Sequence, residues 1–183
     1  MALDWQVFLE DDGGGRTYLE WMFEAWGWTL SVAACAWVVA MAVGALMGTL
    51  RTLPDDRPFN RFFIKFATAW VELFRNIPLL VQMFLWYSVF PELLPQAWGD
   101  AIKQMPSPWS SLVPAVLCLG LFMSVRVAEQ VRSGIQALPR GQRMAGLAVG
   151  LTTWQTYRYV LLPVVFRIIL PPLTSEFLNT IKN

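Results

Sequence analysis

Arg126 and Glu129 stand three positions apart inside an apolar run, with Gln130 beside them. At helical spacing the two charges share one face. A guanidinium there can meet a carboxylate through two parallel hydrogen bonds, which lysine cannot reproduce, and the carboxylate can take an ammonium. Placing either charge at the centre of a bilayer costs about 3 kcal/mol on insertion scales, so such groups usually face a bundle interior and mark a pathway. The alternatives are that they pair with each other or snorkel to the membrane surface. Both remain open for Arg126 and Glu129, which lie late in their run, and Arg75 and Arg167 carry the same ambiguity.

Other chemistries are poorly provided for. The 183 residues contain no histidine, and the two cysteines, Cys35 and Cys118, lie far apart inside apolar runs. The commonest general base and metal ligand is therefore missing, and neither a zinc site nor a disulfide framework is expected. There is no Gly-x-Ser-x-Gly elbow, no pair of intramembrane aspartates and no Gly-x-x-x-x-Gly-Lys-Ser/Thr phosphate loop. An enzyme is not expected, and the chain should bind no nucleotide or other cofactor itself. A net charge of +1 gives no reason to expect nucleic acid as a partner.

The elements that must position these charges are membrane spans. With 56% hydrophobic and 15% charged residues, the chain is too apolar for an ordinary soluble domain and too interrupted for a single anchor, so a polytopic all-α bundle is expected. Residues 1–25 hold six of the thirteen acidic residues against one basic residue, Arg16. This segment should lie on the non-cytoplasmic side, with no removable signal peptide. The uncharged stretch Trp26–Leu50 is long enough to cross a core of about 30 Å. Gly44 and Gly48 offer it a close-packing face, and Trp21, Trp26 and Trp28 form an interfacial belt at its outer end.

Arg51, Arg57, Arg61 and Lys65 place the next connection inside, as Arg132, Arg140, Arg143 and Arg158 do for the 132–158 region. The apolar region Phe62–Phe90 is too long for one straight span; Pro78 should kink it, and Glu72 and Arg75 are one turn apart, close enough to offset each other. Pro91–Ser111, with four prolines, reads as an outer loop, with room for a short surface helix. A third span is expected from Leu112 to about Ile135 and a fourth from near Val160, with Pro163 at its start.

Between the last two spans lies the segment Gly141-Gln142-Arg143-Met144-Ala145-Gly146-Leu147-Ala148-Val149-Gly150, then nine residues, then Val160-Leu161-Leu162-Pro163. Ala and Gly at 145, 146, 148 and 150 strip bulk from a short helix, so that another protein's surface can approach its backbone. Such a basic connection is longer than the ~2–8 residues that usually join bundled helices, which points to a docking element. The segment resembles the coupling (EAA) loop of ABC importer permeases: Glu-Ala-Ala, three residues, Gly, nine residues, an aliphatic residue, any residue, Leu-Pro. The spacing from Met144 through Gly150 to Pro163 matches. Met144-Ala145-Gly146 stands where that family has Glu-Ala-Ala, so no role of the glutamate carries over.

Two further stretches resemble the polar amino-acid branch of these permeases, and in particular the glutamate/aspartate importers: Glu72 to Gln82, and Arg126-Val127-Ala128-Glu129-Gln130-Val131-Arg132 with Thr174-Ser175-Glu176-Phe177-Leu178-Asn179. The resemblance implies a type I ABC importer permease fold over residues 26–183, with a cytoplasmic coupling loop about 136–159 following a periplasmic segment 1–25. It further implies a site in the bacterial inner membrane and transport of an amino acid, with glutamate or aspartate as the expected substrate and another polar amino acid as the alternative; a passive channel or assembly subunit fits the spans equally well but leaves the coupling loop without a purpose. Its expected partners are a dimer of ATP-binding subunits that hydrolyse ATP, a second permease subunit, a periplasmic amino-acid-binding protein and membrane lipid. Coupling residues are expected at Gly141, Gln142, Arg143, Met144, Ala145, Gly146, Gly150 and Pro163, and pathway residues at Arg126, Glu129 and Arg75. Family members continue through a further transmembrane helix, so the stretch ending at Asn183 is expected to lack the last one.

Overall fold

The computed structural model describes residues 8–11 and 15–182; residues 1–7 and 12–14 of the expected periplasmic segment lie outside them, as does Asn183. Helix α1 runs Tyr18–Leu50 and so starts well before Trp26. The reason is a capping box: the Glu20 amide donates to Thr17 Oγ1 at 3.3 Å and the Thr17 amide to Glu20 Oε2 at 3.1 Å. Two otherwise orphaned donors are satisfied and helix is favoured through the acidic turn. After Arg51, the chain enters α2 (Pro58–Asn76), with Pro58 at its first position, where a missing amide costs nothing.

At Ile77–Pro78 the path turns by 102° into α3 (Leu79–Phe84), which continues through a π turn, Leu85–Val89, into α4 (Phe90–Leu93). The expected kink is therefore a complete break. Ile77 is extended, as a residue before proline prefers, and the buried Gln82 amide donates to the carbonyls of Phe74 and Ile77, both at 2.8 Å. One side chain thus satisfies carbonyls that the end of α2 leaves without helical partners. A short α5 (Gln96–Lys103) lies in the Pro-rich connection. Next come α6 (Trp109–Ala137), α7 (Arg140–Ala148), α8 (Thr153–Thr156), a π turn at Tyr157–Leu161 and α9 (Leu162–Lys182).

Pro163 does not open the last span. Helix starts at Thr153, and the π turn just before the proline absorbs it: the Leu162 amide bonds Tyr157 O, five residues back. Widening the turn relieves the clash that a proline ring imposes on the preceding helix. The Leu85–Val89 turn stands in the same relation to Pro91.

Among the described residues, three helical stretches, Tyr18–Leu50, Trp109–Ala137 and Thr153–Lys182, are long and apolar enough to cross a membrane; the bent pair Pro58–Asn76 and Leu79–Leu93 makes up to four. Helices α1 and α6 form the centre, and glycines set their spacing. A Cβ placed on Gly44 or Gly48 would lie 2.6 Å from the carbonyl oxygen of Ser124 or Ala128, and one on Gly120 would lie 2.7 Å from Val39 Cβ. The backbones approach as only small residues allow. One core joins Ala36 and Ala40 to Met123, Val127 and Val131, with Val165, Ile169 and Leu173 of α9 closing it. A second core joins Met47 and Val125 to Ala67, Val71 and Phe74, holding α2 against the centre.

Candidate functional site

A cavity of about 320 Å³ sits where α2, α6 and α9 meet, lined by Phe74, Arg75, Phe122, Val125, Arg126, Glu129, Gln130 and Glu176. All three expected pathway residues line it. Of the alternatives left open, pairing of Arg126 with Glu129 does not occur. Glu129 accepts from Arg51 Nη1 at 2.6 Å and from Arg132 Nε at 2.8 Å, and Arg132 also donates to Gln136 Oε1 at 3.0 Å. Arg51 comes from the end of α1 and reaches further into this carboxylate than Arg126, which points across to α9 and donates to Glu176 Oε2 at 3.3 Å. The Arg126 side chain is half exposed, whereas that of Glu176 is only 16% exposed.

Arg75, in the last turn of α2, is exposed and makes no ion pair among the described residues. The expected offset by Glu72 is absent: both side chains are exposed, and an exposed pair one turn apart gains only about 0.3–0.5 kcal/mol, too little to hold two long side chains together. The Gln82 cap fixes the end of α2 and with it the position from which Arg75 projects. The cavity thus holds two guanidiniums whose charge is not consumed elsewhere, Arg75 and Arg126, one carboxylate within reach, Glu176, and one carboxylate already shared by two arginines, Glu129.

The small-residue segment is a helical hairpin. Helix α7 ends in paired bonds: the Leu151 amide donates to Gly146 O at 3.1 Å and the Gly150 amide to Leu147 O at 3.0 Å, with Gly150 at φ +85°. That is the Schellman arrangement, in which the residue after the helix takes a left-handed conformation that favours glycine. Thr152 then caps α8 in a box with Gln155. Gly150 is therefore explained by its backbone angle; no atom lies within 4 Å of where its Cβ would be, so it is not crowded within the chain.

Gly146 faces inward, where a Cβ would meet Thr156 Cγ2 at 2.7 Å. Ala145 and Ala148 face outward beside the exposed Met144, Leu147 and Val149, and Gly141 is exposed as well. Gln142 and Arg143 are half-buried. The hairpin is tied to the first helix by Tyr157, buried at the π turn, whose hydroxyl donates to the Thr52 carbonyl. Tyr157 and Glu176 were not singled out from the sequence as site residues. A polar tip on an aromatic ring and a carboxylate in an apolar span are the signals they offered.

Apolar helices of spanning length around a charged cavity, with a short helical hairpin carried at one end, define an integral membrane permease. The chain belongs to the family of binding-protein-dependent transport system inner membrane components, whose pattern matches residues 25–183. It is 49% identical over 187 residues to the glutamate/aspartate import permease protein GltJ of Escherichia coli K12, covering 100% of this chain and 74% of that protein. It is 32% identical over 139 residues to the glutamate/aspartate import permease protein GltK of Escherichia coli O6:H1, covering 76% of this chain and 60% of that protein. Its fold is similar to a crystal structure of an amino acid ABC transporter with histidines, at a TM-score of 0.70 and 26% identity over 100% of this chain and 74% of that one. It is an amino-acid ABC transporter permease and a multi-pass membrane protein.

Proposed function

We propose that the chain carries acidic amino acids, glutamate or aspartate, across the bacterial inner membrane, and that the cavity between α2, α6 and α9 recognises them. The observation that carries this reading is the charge set around the cavity: Arg75 and Arg126 with Glu176. An acidic amino acid brings two carboxylates and one ammonium. Two guanidiniums can take the carboxylates by charge-assisted bonds, and a carboxylate can take the ammonium. Glu129 is less suited to that last role because Arg51 and Arg132 already occupy both its oxygens. Glu176 meets Arg126 as a substrate carboxylate would. The similarity to GltJ and to GltK supports the same substrate class.

Transport is powered from outside this chain. ATP is bound and hydrolysed by a dimer of ATP-binding subunits, onto which the exposed side of α7 docks at Gly141, Met144, Ala145 and Ala148, with Gly150 shaping the turn. A second permease subunit, similar to this one, completes the pathway, and a periplasmic binding protein delivers the amino acid. Closure of the ATPases pulls on α7, and the tie from Tyr157 to Thr52 passes the displacement to α1.

The test is uptake of labelled aspartate and of a neutral amino acid by vesicles holding the complete complex. Arg126→Ala is expected to lower aspartate uptake at least about tenfold, with Arg126→Lys intermediate and complex assembly retained. Glu176→Gln should lower uptake of both substrates, because both carry the ammonium. Unchanged aspartate uptake in Arg126→Ala overturns the assignment.

A further inference from the structure

A second cavity, about 510 Å³, lies behind the α7 hairpin, bounded by Arg51 at the end of α1, Ile135 and Gln136 at the end of α6, Leu138, Arg143 of α7, and Tyr157. Its charge is unbalanced. Arg51 shares the one carboxylate of Glu129 with Arg132, and Arg132 reaches Gln136 on the cavity wall. Arg143 is half-buried and has neither a hydrogen bond nor an ion pair among the described residues. Two guanidiniums line the cavity: Arg51, already paired with Glu129, and Arg143, which has no partner among the described residues. An unpaired, half-buried guanidinium is a place where an anion gains charge-assisted hydrogen bonds.

The lining also selects the kind of anion. Arg51 and Arg143 come from different elements and both line the cavity, with Ile135, Leu138 and Leu161 as the apolar part of its wall. Charged donors next to an apolar wall at the end of spanning helices match a phosphate esterified to a glycerol backbone, and basic pockets between spans take such headgroups. We propose that this cavity is a phosphate-binding site, filled by the headgroup of an anionic phospholipid or by free phosphate, and that the anion bridges α7 to the end of α1. Its lining residues differ from those of the cavity between α2, α6 and α9, to which it is joined through the Arg51–Glu129 pair.

The experiment is native mass spectrometry of the complete transporter released from nanodiscs of phosphatidylcholine mixed with phosphatidylglycerol. The wild-type complex is expected to retain phosphatidylglycerol in preference to phosphatidylcholine, and Arg143→Gln to lower that retention about tenfold, with Arg143→Lys between them. Gln136→Glu, at an exposed position, places a carboxylate where the phosphate would sit and should lower retention similarly without touching the core. Added inorganic phosphate separates the sources: displacement of the lipid shows that phosphate alone is read, and retention shows that the glycerol contributes. Equal retention of the two lipids by the wild type, with no binding of inorganic phosphate, overturns the proposal. So does undiminished retention of phosphatidylglycerol in both Arg143→Gln and Gln136→Glu.

Discussion

Arg51 and Glu129, 78 positions apart in sequence, meet at 2.6 Å and join the end of α1 to the middle of the charged stretch of α6. The Arg51 side chain is 15% exposed and that of Glu129 29% exposed, so the pair is shielded on most sides, and Arg132 completes it from the next turn. Glycine contacts between α1 and α6 bring the backbones close enough for an arginine on one helix to reach the other. Packing and charge pairing support the same helix register.

Glu129→Gln leaves two guanidiniums without their carboxylate and is expected to cost about 2 kcal/mol. Arg126→Gln, which removes a half-exposed and longer pair, should cost less than about 0.5 kcal/mol. Thermal unfolding of the two purified variants checks the order. Equal shifts in Tm would mean that the Arg51 contact adds no more than a surface pair does.

At Gly150 the left-handed backbone predicts a graded series. Gly150→Asn should be mild, while Gly150→Val and Gly150→Arg should each cost about 1–2 kcal/mol, because a Cβ is strained at that angle whatever the space around it. Substrate-stimulated ATP hydrolysis by the complete complex should fall in the same order, with membrane insertion unchanged. A full loss in Gly150→Asn would point to close approach of a partner at this residue instead of the backbone angle.

Two glycines of α1 should respond oppositely to alanine. At Gly48 the new methyl group would sit 2.6 Å from a backbone oxygen of α6, so the helices must part, at about 1–3 kcal/mol. At Gly27 nothing lies within 4 Å, and alanine should gain about 0.5–1 kcal/mol from its better helix propensity. Tm values of the two variants moving in the same direction would contradict the packing described for α1 and α6.

The spans were legible because their apolar runs are long, and a bend at Pro78 because proline has a fixed local effect, although not that the bend is a complete break of 102°. The boundaries were harder to read. Thr17 with Glu20 and Thr152 with Gln155 are capping signatures visible in the sequence, yet each lies outside the apolar run whose limits suggested where helix should start. Pro163 misled because a π turn, which leaves no local mark, can keep a proline inside a helix. The cavity charges Arg75, Arg126 and Glu129 were legible as residues but not as pairs. The partners of Glu129 and Arg126, Arg51 and Glu176, come from helices remote in sequence, and helical spacing reports only neighbours on one helix. Gly150 stood out as the glycine of the spacing motif and Gly146 as one of several small residues; the fold shows Gly146 packed on Thr156 and Gly150 setting a turn.

The composition of α2 bears on how the chain is made. With Arg61, Lys65, Glu72 and Arg75 in nineteen residues, it is a poor candidate to partition into lipid on its own, each charge opposing insertion by up to about 3 kcal/mol at mid-bilayer. Its apolar side is satisfied by Met47, synthesised before it, and by Leu121, Val125 and Ala128, synthesised well after it. Val39, Val43 and Leu50 of α1 also pack against this core, so α1 offers α2 a first seat that α6 completes. Damage to α6 is therefore expected to leave α2 held on one side only and more open to proteolysis.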